Sequence, residues 1–558
     1  MTMPGWFPAT VYYSGDGYST AGPKLMGRQA AGQGFLRAYV QAAQQQDQRA
    51  SAWLTAHSRP AAQAAQLGFS SAGLTSTLEV LSPLNMSALS QSGCLYVPQP
   101  GLADLASQRL RVGERQFSLC GVTHTTASHA VMSTLAQLPL APLRPWDAVI
   151  CTSNAVLQSV NQLLDQQRQY LQWKLGATRL ELPQLPVIPL GVHVQDYAFS
   201  DAQKHAARQQ LGLGPNDVAV LFVGRLSFHA KAHPHPMLVA LQNAAQQSAH
   251  KVHLIQAGWF ANAAIEAAFK EAARVLAPDV QHHYLDGRDP EQRQTAWAGA
   301  DIFCSLADNI QETFGLTPIE AMAAALPVVV TDWDGYKDTV RHGTDGFRVR
   351  THMPAAGDGV DLATLYERGL DNYDMYCGKV CEFVSVDIAQ ATEHFVALVN
   401  SPQLRQRMGA AAQAHAQQTF DWSRIMQRYQ ALWHELSERR LNQADGAHGP
   451  VPLRNAPDRP DPYDLFSAYA TQALTGTSLI QAVHPVDAAC YLQIVGLSVH
   501  KYAAAVLPTW AQVQALMSPL TQNDCTVDQL IQGLKPSEQS RRRRHLLWMM
   551  KVGWLRTL

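Results

Sequence analysis

A single stretch of the chain, residues 305–343, constrains the fold more than any other part. It reads SLADNIQETFGLTPIEAMAAALPVVVTDWDGYKDTVRHG. The apolar run that ends at Leu306 predicts a buried strand, and a second short strand is predicted at 326–330. Between them, Thr317-Pro318-Ile319-Glu320 predicts a helix start, with Thr at the N-cap, Pro at the first helical position and Glu at N3. A strand–loop–helix–strand unit is typical of a parallel sheet, whose ligands lie at the carboxyl ends of the strands.

The loop of this unit favours an anionic ligand that also carries hydroxyl groups. The backbone N–H groups around Thr313–Leu316 lie at the predicted helix start, where they have no intrahelical acceptor and the helix dipole adds positive charge. Glu312 and Glu320 flank these amides, and two carboxylates beside a phosphate require hydroxyl donors on the same ligand. A nucleotide sugar offers both kinds of group. The alternatives, a capping box for Glu320 and a solvated loop position for Glu312, stay open at this point.

The run from Glu312 to Val329, ETFGLTPIEAMAAALPVV, resembles the donor-site signature of the retaining GT-B glycosyltransferases of family 4, the glycosyl transferases group 1. The resemblance implies that Glu312 contacts hydroxyls of the donor sugar and that Glu320 contacts the ribose. It also implies that the diphosphate lies on the amides of the loop, at Thr313, Phe314, Gly315 and Leu316. Two departures are Ala325, where the family usually has Gly, and 332–336, where many members carry a Gly-Gly pair.

Two basic residues follow the predicted strand 218–224 (VAVLFVG). Arg225 and Lys231 lie past its carboxyl end, where they would supply the positive charge that a leaving diphosphate needs. The family has this Arg and Lys, so the resemblance makes both of them phosphate ligands, although the spacing here is one residue longer than usual. Asp286 ends another predicted strand, 280–286, at the place of the family's base-binding loop.

The first half of the chain contributes a Gly-rich segment and a histidine. A strand predicted at 9–14 runs into GDGYSTAG, where glycine allows close backbone approach to a ligand. The resemblance makes Gly17, Tyr18 and Ser19 of this segment candidates for donor binding. His124 follows the predicted strand 117–121, and the resemblance places it near the donor sugar; by itself a lone histidine is more often structural.

Neither a metal nor a cofactor is predicted. Pro234 and Pro236 disrupt a regular ligand face for His229, His233 and His235, and no carboxylate is near them in sequence. Asp332-Trp333-Asp334 is formally a D-x-D motif, which binds a metal diphosphate in the other glycosyltransferase fold. Here it follows a strand of a GT-B-like unit, so we interpret it as a loop near the substrate.

Composition limits the partners and the compartment. The net charge is −1 and charged residues make up 16% of the 558 residues, so no global field attracts nucleic acid or an anionic membrane. The eight cysteines are scattered, and several lie in apolar runs, as reduced core thiols do. We see no signal peptide and no apolar run of membrane-spanning length. A cytoplasmic enzyme is therefore predicted, with attachment to the inner face of a membrane left open.

The predicted fold is α/β of the GT-B type, with two Rossmann-like doubly wound domains that face a cleft, plus a C-terminal helical domain. Its parts are an N-terminal domain at 1–195 completed by a helix at 423–440, a nucleotide-sugar domain at 196–422, a Pro- and Gly-rich linker at 441–462, and a helical domain at 463–558. The last part resembles no family, and a membrane surface or a protein partner remains open for it. Its basic run, 541–544, is interpreted as the outside of a final packed helix.

These features predict a metal-independent hexosyltransferase that acts with retention on a nucleoside diphosphate sugar and an unidentified acceptor hydroxyl. Two other functions stay open: a non-catalytic nucleotide-sugar-binding or scaffold protein, and a GT-B sugar-nucleotide epimerase. The sequence names neither the sugar, the base nor the acceptor.

Overall fold

The computed structural model describes residues 5–18, 27–56, 58–442 and 456–558. They form two compact units, Met1–Ala456 and Pro457–Leu558. None of the helices among these described residues is long and apolar enough to cross a membrane. The predicted domain boundaries at 195 and 422 lie inside the first unit, and the predicted linker ends five residues after the second unit begins.

The first sheet of the first unit is a six-stranded parallel sheet in the order β3-β2-β1-β4-β5-β6. Its strands are short and buried because helices cover both faces, as parallel sheets require. The strands are β1 Thr10–Tyr12, β2 Ser51–Trp53, β3 Glu79–Leu81, β4 Cys94–Val97, β5 Ser118–Val122 and β6 Ala148–Ile150. The helices are α1 Gly15–Tyr18, α2 Gly27–Gln45, α3 Arg59–Ser71, α4 Ala103–Arg109, α5 His129–Ala136 and α6 Asn154–Leu175.

The second sheet of the same unit is also parallel and six-stranded, in the order β12-β11-β10-β7-β8-β9. Its strands are β7 Val218–Val223, β8 Val252–Gly258, β9 Gln281–Asp286, β10 Ile302–Ser305, β11 Val328–Thr331 and β12 Gly346–Val349. The helices around it are α7 Asp201–Gln210, α8 Pro234–Gln246, α9 Ala263–Leu276, α10 Pro290–Gly299, α11 Leu316–Ala323 and α12 Tyr336–Thr339. The two sheets confirm the predicted pair of Rossmann-like domains.

The remaining elements of the first unit follow the second sheet. They are β13 Thr351–His352, β14 Ser385–Val386, α13 Val360–Glu367, α14 Tyr373–Cys381, α15 Ile388–Val399, α16 Pro402–His415 and α17 Trp422–Asn442. Helix α17 returns to the first sheet, where Trp422, Tyr429 and Trp433 are buried in the same cluster as Phe35 and Tyr96. Residues of α17 therefore share a hydrophobic core with the first sheet.

The second unit is mostly helical, as predicted, but it also contains a small antiparallel sheet in the order β16-β15-β17. Its elements are α18 Pro462–Leu465, β15 Leu479–Ala482, α19 Ala488–Gly496, α20 Ser498–Lys501, α21 Trp510–Leu520, β16 Cys525–Thr526, α22 Val527–Ile531, α23 Pro536–Lys551 and β17 Leu555–Thr557. Leu546 and Met549 of α23 are buried, whereas Arg541 and Arg544 are exposed. The final helix therefore packs on its own unit with arginines on its outer side.

Candidate active site

The candidate site begins with two neighbouring strands, β7 and β10, which pair in parallel. Arg225 follows the carboxyl end of β7, and the loop 306–315 follows the carboxyl end of β10. The Arg225 guanidinium donates to Gln311 Oε1 at 2.9 Å and to the Ala230 carbonyl at 2.8 Å. These bonds hold the cation against the loop whose amides were predicted to bind phosphate.

Lys231 forms an ion pair with Glu312, and both side chains are largely buried. Burial alone would raise the pKa of Glu312, but the Lys231 ammonium and the amides of Thr313 and Phe314 outweigh it and hold the pKa below its usual value. Glu312 is therefore ionised at neutral pH and available as an acceptor for hydroxyl donors. The longer spacing between Arg225 and Lys231 does not prevent Lys231 from reaching this loop.

The helix start differs from the prediction. Gly315, not Thr317, is the N-cap of α11, at φ 83°, and no side chain caps the helix. The hydroxyl of Thr317 lies in the first turn, buried and without a hydrogen-bond partner. The first amides of α11 are thus left without a side-chain acceptor at the point where the helix dipole is positive. This arrangement suits a ligand anion better than the predicted capping box would.

Replacing Gly315 with alanine is expected to lower both activity and stability. The φ of Gly315 is in the left-handed region, and an added Cβ would come within 2.0 Å of Tyr336 Cε1, so the loop or the ring must move. We expect a loss of about 10²-fold in kcat/KM, since displaced groups in a site cost that much. Steady-state kinetics and a thermal melt would measure both effects. Gly343→Ala is the matched control, because Gly343 also has a positive φ but has open space around it; an equal kinetic loss there would contradict the explanation.

The other predicted donor residues are less closely connected to this cluster. Glu320 on α11 is hydrogen-bonded by Tyr197; its burial raises its pKa, and Arg293 and Lys231 oppose that rise. Asp286 lies at the carboxyl end of β9, where its carboxylate accepts hydrogen bonds from the backbone N–H and the guanidinium of Arg288, at 2.7 to 3.2 Å. Ser19 lies outside the described residues.

The carboxyl edge of the first sheet meets this loop. Thr313 Oγ1 donates to the His124 carbonyl at 3.2 Å, and Thr152 Oγ1 donates to the Thr313 carbonyl at 3.4 Å. Farther along, Asp338 of α12 accepts the backbone N–H of Asn154 at 2.7 Å. His124 and Thr313 of the loop 306–315, 189 residues apart in sequence, are therefore adjacent.

A cavity of about 550 Å³ opens on the first-sheet side of this junction. Three of its lining residues were predicted from the sequence: Gly17, Tyr18 and His124. Gly17 and Tyr18 belong to the one-turn helix α1 rather than to a loop, and the Tyr18 hydroxyl donates to the Tyr12 carbonyl at 3.0 Å. Burial, and then the charge of Arg28, lower the pKa of His124 to about 4, so its imidazole is neutral at physiological pH. A neutral imidazole both donates and accepts, which suits a hydroxyl partner.

Part of this junction was not predicted from the sequence. Thr152, Ser153 and Asn154 follow β6 and contact the second sheet's loops, and Asp334 accepts from Ser153 Oγ at 3.2 Å. The only sequence signals were a strand that ends in Thr-Ser and the D-x-D pattern at 332–334. Neither signal indicates that the two segments meet, because their contact depends on the placement of the two sheets.

The chain is similar to known proteins in sequence and in fold. Residues 203–363 match the family model of glycosyl transferases group 1. A phosphatidyl-myo-inositol mannosyltransferase from Mycobacterium leprae is 27% identical over 345 residues, which are 61% of this chain and 73% of that protein. A D-inositol 3-phosphate glycosyltransferase from Nocardia farcinica is 29% identical over 173 residues, 31% of this chain and 37% of that protein. Among solved structures, Anabaena Alr3699/HepE in complex with UDP is 18% identical, with a TM-score of 0.48, over 76% of this chain and 99% of that one.

The two parallel sheets and the site at their facing carboxyl edges, together with the family match, define a glycosyltransferase with the GT-B fold. The chain is a transferase enzyme, and residues 203–363, which match the glycosyl transferases group 1, include the loop 306–315 and the start of α11.

Proposed function

We propose that this enzyme transfers a hexosyl group from a nucleoside diphosphate sugar to an acceptor hydroxyl, with retention at the anomeric carbon and without a metal ion. The observation that carries the proposal is the meeting of Arg225, the Lys231–Glu312 pair and the uncapped start of α11 beside His124. This set offers positive charge and free amides for a diphosphate, and acceptors for sugar hydroxyls.

The chemistry depends mainly on stabilising the leaving group. In the reaction, the bond from the anomeric carbon to the diphosphate oxygen breaks, and a bond from the same face of that carbon to the acceptor oxygen forms. The acceptor's proton passes to the departing phosphate oxygen, so the products are a glycoside and a nucleoside diphosphate. Arg225, Lys231 and the first amides of α11 would hold the charge that develops on the phosphate. Glu312 and the neutral His124 would orient the sugar.

The first test is nucleotide release from UDP-glucose, GDP-mannose and ADP-glucose, each with and without a mixture of sugar and polyol acceptors. Acceptor-dependent release supports transfer. Donor consumption without an acceptor and without release indicates an epimerase, and binding without turnover of any donor indicates a scaffold. Nuclear magnetic resonance of the product would then show whether the anomeric configuration of the donor is retained; inversion would contradict that part of the proposal.

Chelation of divalent metal is expected to leave the transfer rate unchanged within about twofold, because protein cations supply the charge that a metal supplies elsewhere. Both acids of the D-x-D motif have protein partners: Asp332 pairs with Arg348 at 3.3 Å, and Asp334 accepts from Ser153. No cluster of three metal-ligating side chains occurs in the described ranges. The measurement compares initial rates with EDTA, and with EDTA plus excess Mg²⁺ or Mn²⁺. Loss of activity that the added metal restores would contradict metal independence.

A further inference from the structure

The loop after β11 holds an unusual aspartate, Asp334. Its φ of 40° is in the left-handed region, which residues other than glycine rarely adopt. Strained backbone of this kind clusters at ligand-binding sites. Oδ1 of Asp334 accepts from Ser153, whereas Oδ2 is buried and has no hydrogen-bond partner. Asp334 Oδ2 is therefore shielded from water, without a hydrogen-bond partner, at the junction of the two sheets.

The charges around Asp334 favour its neutral form. Burial, and then the nearby Glu312 carboxylate, raise its pKa to about 8; the Gly335 amide and Ser153 oppose this shift, and Asp338 adds to it. Tyr336 on α12 also faces it, and burial followed by the charge of Glu312 raises the pKa of that phenol well above its usual value. Lys231, the positive charge beside Glu312, is paired with that carboxylate. At neutral pH Asp334 is a carboxylic acid that needs an acceptor.

We infer that Asp334 is a donor-binding residue whose neutral carboxyl donates a hydrogen bond to a hydroxyl oxygen of the transferred sugar, beside the hydroxyl that Glu312 accepts; this inference rests on the proposed function. The two acids have complementary roles, because an ionised carboxylate only accepts and a protonated one also donates. A second carboxylate at this place would repel the donor's diphosphate, and a neutral acid does not. The D-x-D pattern thus provides a hydrogen-bond donor rather than a metal ligand.

The test is the pH dependence of kcat/KM for whichever nucleotide sugar the panel identifies, in the wild type and in Asp334→Asn, Asp334→Ala and Asp332→Asn. Wild-type kcat/KM is expected to fall about tenfold per pH unit above the pKa of Asp334. Asp334→Asn should remove this alkaline limb and keep activity within a few-fold of the wild type at pH 7, since an amide is always neutral and asparagine tolerates a positive φ. Asp334→Ala should lose about 10–100-fold at every pH, as expected when a buried hydrogen bond to a ligand is removed.

Asp332→Asn is the matched control, because it removes the other acid of the motif and should keep the wild-type profile. A thermal melt of each variant separates a folding defect from a binding defect. An unchanged alkaline limb in Asp334→Asn would overturn the inference. The inference would also be overturned if Asp334→Asn folds but has a kcat/KM as low as that of Asp334→Ala, because the ionised carboxylate would then be the form that binds the sugar.

A second measurement separates this inference from the proposed function. Infrared difference spectra of the wild type against Asp334→Asn at pH 7 should show the C=O stretch of a protonated carboxyl, which shifts when UDP-glucose or GDP-mannose binds. If the wild type turns over none of the sugar nucleotides, the proposed function fails, but a shift of this band would still show that the protonated Asp334 carboxyl contacts the bound nucleotide sugar. A band that is absent, or that neither sugar nucleotide moves, overturns the inference.

Discussion

Arg225→Ala is expected to lower kcat/KM by about 10²–10³-fold, which is the loss seen when one stabiliser of developing charge is removed from an enzyme site. Arg225 is held by Gln311 and by the Ala230 carbonyl at the carboxyl end of β7, beside the loop that leads to α11. Because the phosphate gains charge as the glycosidic bond breaks, most of the loss should be in kcat rather than in KM. Initial rates of nucleotide release over a range of donor concentrations measure both constants.

Arg350→Ala is the control for this experiment. Arg350 lies in the same sheet region, with 68% of its side chain exposed, and it pairs with Asp387 at the surface. Its removal should change kcat/KM by less than about twofold, as surface substitutions usually do. Near-normal rates in Arg225→Ala, or an equal loss in Arg350→Ala, would reject the role of Arg225. Glu312→Ala should lose activity to a similar degree, because it removes the acceptor for the sugar and leaves Lys231 unpaired.

Asp147→Ala is expected to destabilise the protein by about 3–5 kcal/mol, the usual cost of removing one partner of a buried ion pair. Asp147 and Arg109 are both fully buried. The carboxylate accepts two bonds from the Arg109 guanidinium, at 2.6 and 2.7 Å, and two more from the backbone N–H groups of Leu119 and Arg144, at 2.8 and 2.9 Å. Its removal would leave the buried Arg109 cation without a counter-charge, bonded only to the Phe117 and Pro142 carbonyls, and two backbone N–H groups without their acceptor. Urea unfolding followed by tryptophan fluorescence would measure the change.

Two further variants make this prediction specific. Asp165→Ala removes an acid that is about half exposed and pairs with Arg168 on α6, so it should cost less than about 1 kcal/mol. The double variant Arg109→Met/Asp147→Leu removes both charges, and it should be less destabilised than Asp147→Ala because no charge remains buried alone. If Asp147→Ala loses less than about 1 kcal/mol of unfolding free energy, the explanation is contradicted. It is also contradicted if the double variant is less stable than Asp147→Ala.

Much of the second sheet was predictable from the sequence because several of its strands, such as β7, β10 and β11, are apolar runs followed by polar residues. The predicted strands 218–224, 280–286 and 326–330 correspond to β7, β9 and β11 within one or two residues. Strands β2, β3 and β12 gave no such signal, because their sequences SAW, EVL and GFRV are not apolar runs, and the sheet rather than the local sequence decides their extended conformation. The small sheet of the second unit was missed for the same reason.

The helix start at Gly315 shows where a local pattern misleads. Thr317-Pro318-Ile319-Glu320 fits a capping box, yet α11 begins two residues earlier. The ring of Tyr336 packs where a side chain at 315 would lie, and this contact allows the tight turn only with glycine. The competing interaction comes from a residue 21 positions away, so the local pattern did not include it.

The sequence by itself determined the kind of chemistry: which strands end in Arg225 and in the loop with Glu312, and that amides, cations and carboxylates occur together there. Only the tertiary structure decided which of these groups meet and in which ionisation state. The pairing of Lys231 with Glu312, the neutral imidazole of His124 and the unmatched oxygen of Asp334 all depend on burial and on neighbours from distant segments. Electrostatic free energies vary with the local dielectric and with distance in space, and neither quantity can be read from the order of residues along the chain.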